Sequence, residues 1–168
     1  MKNIVLFGPP GAGKGTQAEI IKQEYDLFHI STGDVFRYNI KNNTDLGLLA
    51  KGFMDKGELV PDQITIDMLS DVVEKNSHVN GFIFDGFPRT ESQAHALDSL
   101  LENFNTSISG MIALEVDDEI LIRRLLERGK DSGRADDSNR EIIENRISEY
   151  YNKTCLLYTS PSPRDSSE

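Results

Sequence analysis

Short, mostly apolar runs recur along this chain between longer stretches whose apolar residues return every three or four positions. The runs are Asn3 to Phe7, Phe28-His29-Ile30, Gly81 to Asp85 and Met111 to Val116. A run apolar at every position reads as a strand covered on both faces, as in a parallel sheet. The longer stretches read as helices. One spans Lys14 to about Tyr25, with Ala18, Ile21 and Tyr25 on one face. Another starts at Pro61, placed in its first turn, and carries Ile64, Met68, Leu69, Val72 and Val73. A third runs through Gln93, Ala94, Leu97 and Leu101, a fourth carries Arg123, Arg124 and Arg128, and a fifth extends from Arg140 to about Lys153. Strand and helix alternate, so the chain is expected to be an α/β protein with a doubly wound parallel sheet flanked by helices.

Two segments fall outside this rhythm. Residues 31–60 are short helical pieces rich in Gly, Asn and Lys, expected to form a small mobile insertion, with Ser31 or Thr32 capping its first helix. Gly129 to Asp137 is short and polar, and reads as a loop with hinges at Gly129 and Gly133.

The junction of the first strand and first helix is Gly8-Pro9-Pro10-Gly11-Ala12-Gly13-Lys14-Gly15-Thr16. Glycines let successive backbone N–H groups face one anion, and the following helix adds the positive end of its dipole. Lys14 then reaches the terminal phosphates as a point charge. A dinucleotide fingerprint fits worse, because its third glycine would fall where Thr16 stands. The third strand ends at Asp85, and the bend Gly86-Phe87-Pro88 delivers Arg89 to the carboxyl edge of the sheet, where ligands of open α/β sheets bind. A carboxylate in Asp85's position suits Mg²⁺ held through water. Arg37, Arg89, Arg124, Arg128, Arg134 and Arg146 come from separate segments, and planar, permanently charged guanidinium groups suit the clamping of phosphates in transfer. Asp136 and Asp137 read as holders of these arginines rather than as acid or base. His29, His78 and His95 are scattered and are assigned no catalytic part.

Composition narrows the partners. A net charge of −10 over 168 residues argues against nucleic acid, while a nucleotide needs only a local cationic cluster. A single cysteine, Cys155, excludes an internal disulfide framework and a cysteine-based zinc site. No apolar run approaches spanning length and no signal-peptide layout opens the chain, so no membrane partner is expected and the cytoplasm is the default location.

These motifs, in this order, resemble the short-lid form of the adenylate kinase family. The matching stretches are Gly8 to Gln17, Ser31-Thr32-Gly33-Asp34, Arg37, Gly57 to Val60, Phe84 to Thr90 and Gly133 to Asp137. The resemblance implies a phosphate-loop kinase core over 1–154 and Mg²⁺-dependent transfer, ATP + AMP ⇌ 2 ADP, by a monomer. It assigns Gly11, Ala12, Gly13, Lys14, Gly15 and Thr16 to the ATP phosphates and Arg124 to the ATP side. Thr32, Arg37, Glu58, Leu59, Val60, Arg89 and Gln93 would form the AMP site. Lys14, Arg89, Arg128, Arg134 and Arg146 would act on the transferred phosphate, with 31–60 and 129–137 closing over it. The lid segment is too short for the extra domain of long-lid relatives, so no structural zinc is expected. Related pyrimidine nucleotide kinases, for UMP or CMP, tend to carry Ala and Asn where Thr32 and Gln93 stand, and Gln can both donate to and accept from an adenine edge. A nucleotide-binding fragment without turnover is the alternative from another class.

The resemblance stops near Cys155. The Ser/Pro-rich string over 155–168 resembles no part of the family and reads as a frame cut short and completed by unrelated sequence. The final strand and helix of the family are therefore expected to be missing, with the fourth strand left at an edge, one sheet face uncovered and stability lowered.

Overall fold

A computed structural model describes residues 1–154. The assignment of 155–168 to an unrelated tail lies outside the described residues. The elements follow the order β1 (Ile4–Phe7), α1 (Lys14–Tyr25), β2 (Phe28–Ser31), α2 (Thr32–Lys41), α3 (Asp45–Met54), α4 (Asp62–Lys75), β3 (Phe82–Asp85), α5 (Glu91–Glu102), β4 (Gly110–Ala113), α6 (Asp118–Ser132) and α7 (Arg140–Glu149). A 3₁₀ turn over Ala135–Asp137 joins the last two helices, and a π-type turn over Tyr150–Thr154 follows α7.

The sheet is parallel, in the order β2-β3-β1-β4. Its alternation assigns each side chain to a layer. Val5, Phe7, Phe82 and Phe84 face α4 and α5, packing on Leu69, Val73, Leu97 and Leu101. Leu6 and Ile83 point to the other side, against Ala18 of α1 and Leu27. Both faces of β1 and β3 are therefore covered, which is why these two strands read as nearly continuous apolar runs, whereas β4 stays largely exposed. Each buried Leu or Phe contributes about 1.5–3 kcal/mol, so this double layer is the main support of the carboxyl edge. Residues 31–60 have a core of their own, Phe36, Ala50 and Val60 on Met68 of α4. Helices α6 and α7 pack through Leu121, Leu125, Ile143 and Ile147.

The structure departs from the sequence reading at four places. Strand four ends at Ala113 rather than Val116; its place at the edge is as expected, since among the described residues it pairs with β1 alone, with Ile112 39% exposed. Pro61 is the N-cap of α4, one place outside its first turn. The strand at the N-terminus starts at Ile4; the fully buried Asn3 before it bonds Ser109 through its backbone, while its Nδ2 donates to Thr106 Oγ1 and the Ser107 carbonyl and its Oδ1 accepts from Phe82 N–H. The polar loop is the largest difference. Helix α6 continues through Ser132, and Gly133 closes it in a left-handed conformation (φ 69°). Gly129 is thus inside a helix, and it is required there by contact: a Cβ would collide with the Asp137 carbonyl.

Candidate active site

Strand β1 ends at the sheet's carboxyl edge and the chain curls before α1. Gly13 is the N-cap of α1 with φ 95°, a conformation costly for any side chain, and a Cβ there would meet nothing within 4 Å. No side chain caps α1 and its first turn holds no acidic residue, so its N-terminal N–H groups and dipole remain available to an anion. The ammonium of Lys14 folds back over this turn and donates to the Gly8 carbonyl at 2.9 Å. Burial, reinforced by the charge of Arg89 and opposed by Asp85, lowers its pKa from 10.5 to about 8.

The register places Ser31 of β2 beside Asp85 of β3, so the two strands deliver their last residues to one edge. Ser31 caps α2, its Oγ accepting from Asp34 N–H. Thr32 donates from Oγ1 to the Gly86 carbonyl at 3.0 Å, and Arg89 donates from Nε to the same oxygen at 2.8 Å. Burial first, then the charge of Arg146, lowers the Arg89 pKa to about 10. Arg37 pairs with Asp34 at 2.5 Å. Asp85 is 7% exposed, and His29 Nε2 lies 3.0 Å from its Oδ2. Gln93, 2% exposed, donates from Nε2 to Asp62 Oδ1 at 3.0 Å and accepts at Oε1 from Arg89 N–H at 2.8 Å. Asp62 Oδ1 also accepts from Thr90 Oγ1.

The opposite wall comes from α6, α7 and the turn between them. Arg124 reaches the Gly11 carbonyl at 3.4 Å. Arg128 makes two bonds to Asp137, at 2.6 and 3.1 Å. Arg146 donates to the same carboxylate at 2.6 Å and to the Asp136 carbonyl at 3.2 Å. Burial alone would raise the Asp137 carboxyl, but the hydrogen bond from Arg128 and the charges of Arg146 and Arg128 outweigh it and hold the group below its ordinary value. Arg134 lies 3.9 Å from Asp34 and 4.0 Å from Asp137, so it touches both walls; burial and the charges of Arg37 and Arg128 lower its pKa. A second tie joins the walls, where Asn145 Nδ2 of α7 donates to the Lys56 carbonyl at 2.9 Å.

Between the walls is a cleft of about 390 Å³. Gly11, Gly13, Lys14, Gly15 and Thr16 line one end, with Arg124; Thr32, Arg37, Glu58, Leu59, Val60 and Gln93 line the other. Asp85, Arg89, Arg128, Arg134 and Arg146 also border it. Of the residues assigned to the site from the sequence, Ala12 alone does not line the cleft: its side chain packs on the α6–α7 core, and its N–H bonds the Pro9 carbonyl. The reading of Asp136 and Asp137 as arginine holders agrees with these distances. Sequence reasoning missed His29 and Asp62. His29 carried no signal beyond its place two residues before the end of β2, and Asp62 looked like an ordinary acid in a first helical turn.

A parallel sheet whose first strand feeds a glycine turn and a lysine-bearing helix, with an arginine-lined cleft at its carboxyl edge, is the phosphate-loop kinase fold. The family model described as adenylate kinase matches residues 6–160. Over 157 residues, 94% of this chain and 83% of the relative, the chain is 63% identical to an adenylate kinase of Flavobacterium psychrophilum. It is 59% identical to that of Flavobacterium johnsoniae over the same shares, and 52% identical to that of Parabacteroides distasonis over 94% of this chain and 82% of the relative. The chain belongs to the adenylate kinase family, and so to the nucleoside monophosphate kinases, which are phosphotransferases.

Proposed function

We propose that this chain transfers the terminal phosphoryl group of ATP reversibly to AMP, giving two ADP, and that it works as a monomer. The observation that carries this reading is the cleft with a phosphate cradle at one end, a buried amide at the other and, between them, arginines from two helices and two connecting segments. The N–H groups of Gly11 to Thr16 would hold the ATP phosphates, with Ala12 contributing backbone alone and Arg124 flanking them. Thr32, Arg37, the 58–60 segment, Arg89 and Gln93 would seat AMP. Lys14, Arg89, Arg128, Arg134 and Arg146 would surround the phosphoryl group in flight, where charge stabilisation and alignment do most of the catalytic work. Closure of 31–60 and of the α6–α7 turn would exclude water and so favour AMP over hydrolysis.

The donor set fits Mg²⁺. Among the described residues no group of three or more His, Cys, Asp or Glu is arranged to hold a metal. Magnesium in phosphoryl-transfer sites keeps several waters and takes one or two carboxylates plus phosphate oxygens, and Asp85, which lines the same cleft as Thr16, would supply that kind of site. Mg²⁺ there would neutralise charge on the phosphate oxygens. Asp85 would orient its water shell, with His29 fixing the carboxylate.

A phosphotransfer assay with ATP and Mg²⁺ against AMP, UMP, CMP and GMP tests the reading. AMP is the expected acceptor. Predominant turnover of UMP or CMP would replace the adenine assignment by a pyrimidine one, and binding without ADP formation would leave only a nucleotide-binding module.

A further inference from the structure

The Gln93 amide has two orientations related by a half-turn, and they present opposite hydrogen-bonding patterns. In one, the carbonyl and NH₂ face the cleft as acceptor beside donor; in the other the order is reversed. The surroundings allow only one. Asp62 Oδ1 receives Nε2–H at 3.0 Å, and Arg89 N–H donates to Oε1 at 2.8 Å. Turning the amide over would set Oε1 against a carboxylate oxygen and Nε2–H against a backbone N–H, two repulsive contacts in a buried place. Asp62 is itself held, because the same Oδ1 accepts from Thr90 Oγ1 at 2.9 Å. After these bonds the amide keeps one N–H and one carbonyl lone pair, and Gln93 borders the cleft.

We infer that Asp62 is a specificity-determining positioning residue: with the Arg89 backbone N–H it locks the Gln93 amide, so that the AMP site accepts a base with an amino group at position six and rejects one with an oxo group there. The inference rests on the proposed placement of the AMP base at Gln93. Adenine presents a donor beside a ring acceptor, which complements the locked amide. A 6-oxopurine puts an oxygen where the amino group was, facing Oε1. A free amide would turn over to accommodate it; a locked one cannot.

The wild-type chain gives the first test, by the kcat/KM of AMP, of purine riboside 5′-monophosphate (hydrogen at position six) and of IMP with ATP and Mg²⁺. A locked amide gives AMP best, the unsubstituted purine next and IMP last. IMP equal to or better than the unsubstituted purine would overturn the lock. The second test is Asp62→Asn, whose own amide can face Gln93 in either sense. It should lower kcat/KM for AMP about tenfold, chiefly through KM, and raise the IMP/AMP ratio about tenfold. Thr90→Val cuts both the brace on Asp62 and the α5 cap bond from the Gln93 N–H but leaves the side-chain bond between Asp62 and Gln93, so it should lower Tm without moving that ratio. A ratio unchanged in Asp62→Asn, or moved equally by Thr90→Val, would reduce Asp62 to a structural brace. Gln93→Ala separates the two levels. If it leaves AMP/IMP discrimination intact, the base is not read at Gln93; if it erases discrimination while Asp62→Asn does not, the site stands and the lock falls.

Discussion

At the floor of the cleft, Lys14 and Arg89 rest on the carbonyls of Gly8 and Gly86, whereas in the opposite wall Arg128 and Arg146 share the carboxylate of Asp137. The floor cations are partly buried without an ion pair to a described carboxylate, and burial pulls both pKa values down, to about 8 and about 10. The wall cations have been neutralised in advance. An anion entering the cleft therefore gains most at the floor, where it supplies the first counter-charge, and less at the wall, where it competes with an existing one. In the proposed reading, the floor would demand phosphate and the wall would hold its arginines in formation until phosphate arrives.

Breaking the floor should have the largest effect. Lys14→Met is expected to lower kcat about a thousandfold, since a cation aimed at developing phosphate charge is lost, with little change in fold; steady-state kinetics and a thermal melt check both halves, and near-normal turnover would refute the role. Breaking the wall should instead show first in stability. Asp137→Asn leaves two guanidinium groups without their shared carboxylate and should cost about 3 kcal/mol in denaturant unfolding, with a smaller loss of activity than Lys14→Met. An unchanged unfolding free energy would mean that the wall is not preassembled.

The contrast also has a pH signature. Lys14 binds its proton less tightly folded than unfolded, so between pH 8 and 10.5 the unfolded chain carries more protons and the stability of the ligand-free protein rises with pH. The slope from one such group is at most about 1.4 kcal/mol per pH unit, measured as wild type minus Lys14→Met. In the proposed role Lys14 meets the ATP phosphates as a charged ammonium, so ATP affinity should fall as pH rises through 8, with proton uptake detectable by calorimetry in buffers of different ionisation enthalpy. A pH-independent affinity from 7 to 9 would contradict it. The smallest effect is expected outside the cleft. Arg140 bonds Glu119 and Glu144 on the open surface, and Arg140→Ala should leave melting and turnover unchanged.

Features written in consecutive residues were legible before the fold was seen. Gly13 and Lys14 declare an anion turn by themselves, and Phe82 to Asp85 declares a doubly covered strand that ends in a carboxylate. What escaped was pairing across sequence. The length of α6 depends on Gly129 lying against Asp137, and nothing near Gly129 announces that contact. Asp62 and Gln93 are 31 residues apart and lie in the first turns of different helices; each satisfies a local rule, so neither signals the other. Asn3 looked like the start of a strand because its neighbours are apolar, yet its side chain ties Phe82 to residues 106 and 107. Local chemistry chose the parts of the site, and long-range hydrogen bonds fixed their attitudes.

Helix α7 sets two neighbours to different tasks: Asn145 holds the Lys56 carbonyl of the insertion, and Arg146 holds Asp136 and Asp137 of the turn before the helix. Ordering one of these contacts restrains the same turn of helix that the other needs. Part of the entropy lost when one nucleotide settles is then already spent for the second, so each ligand should favour the other by the same factor, whichever binds first.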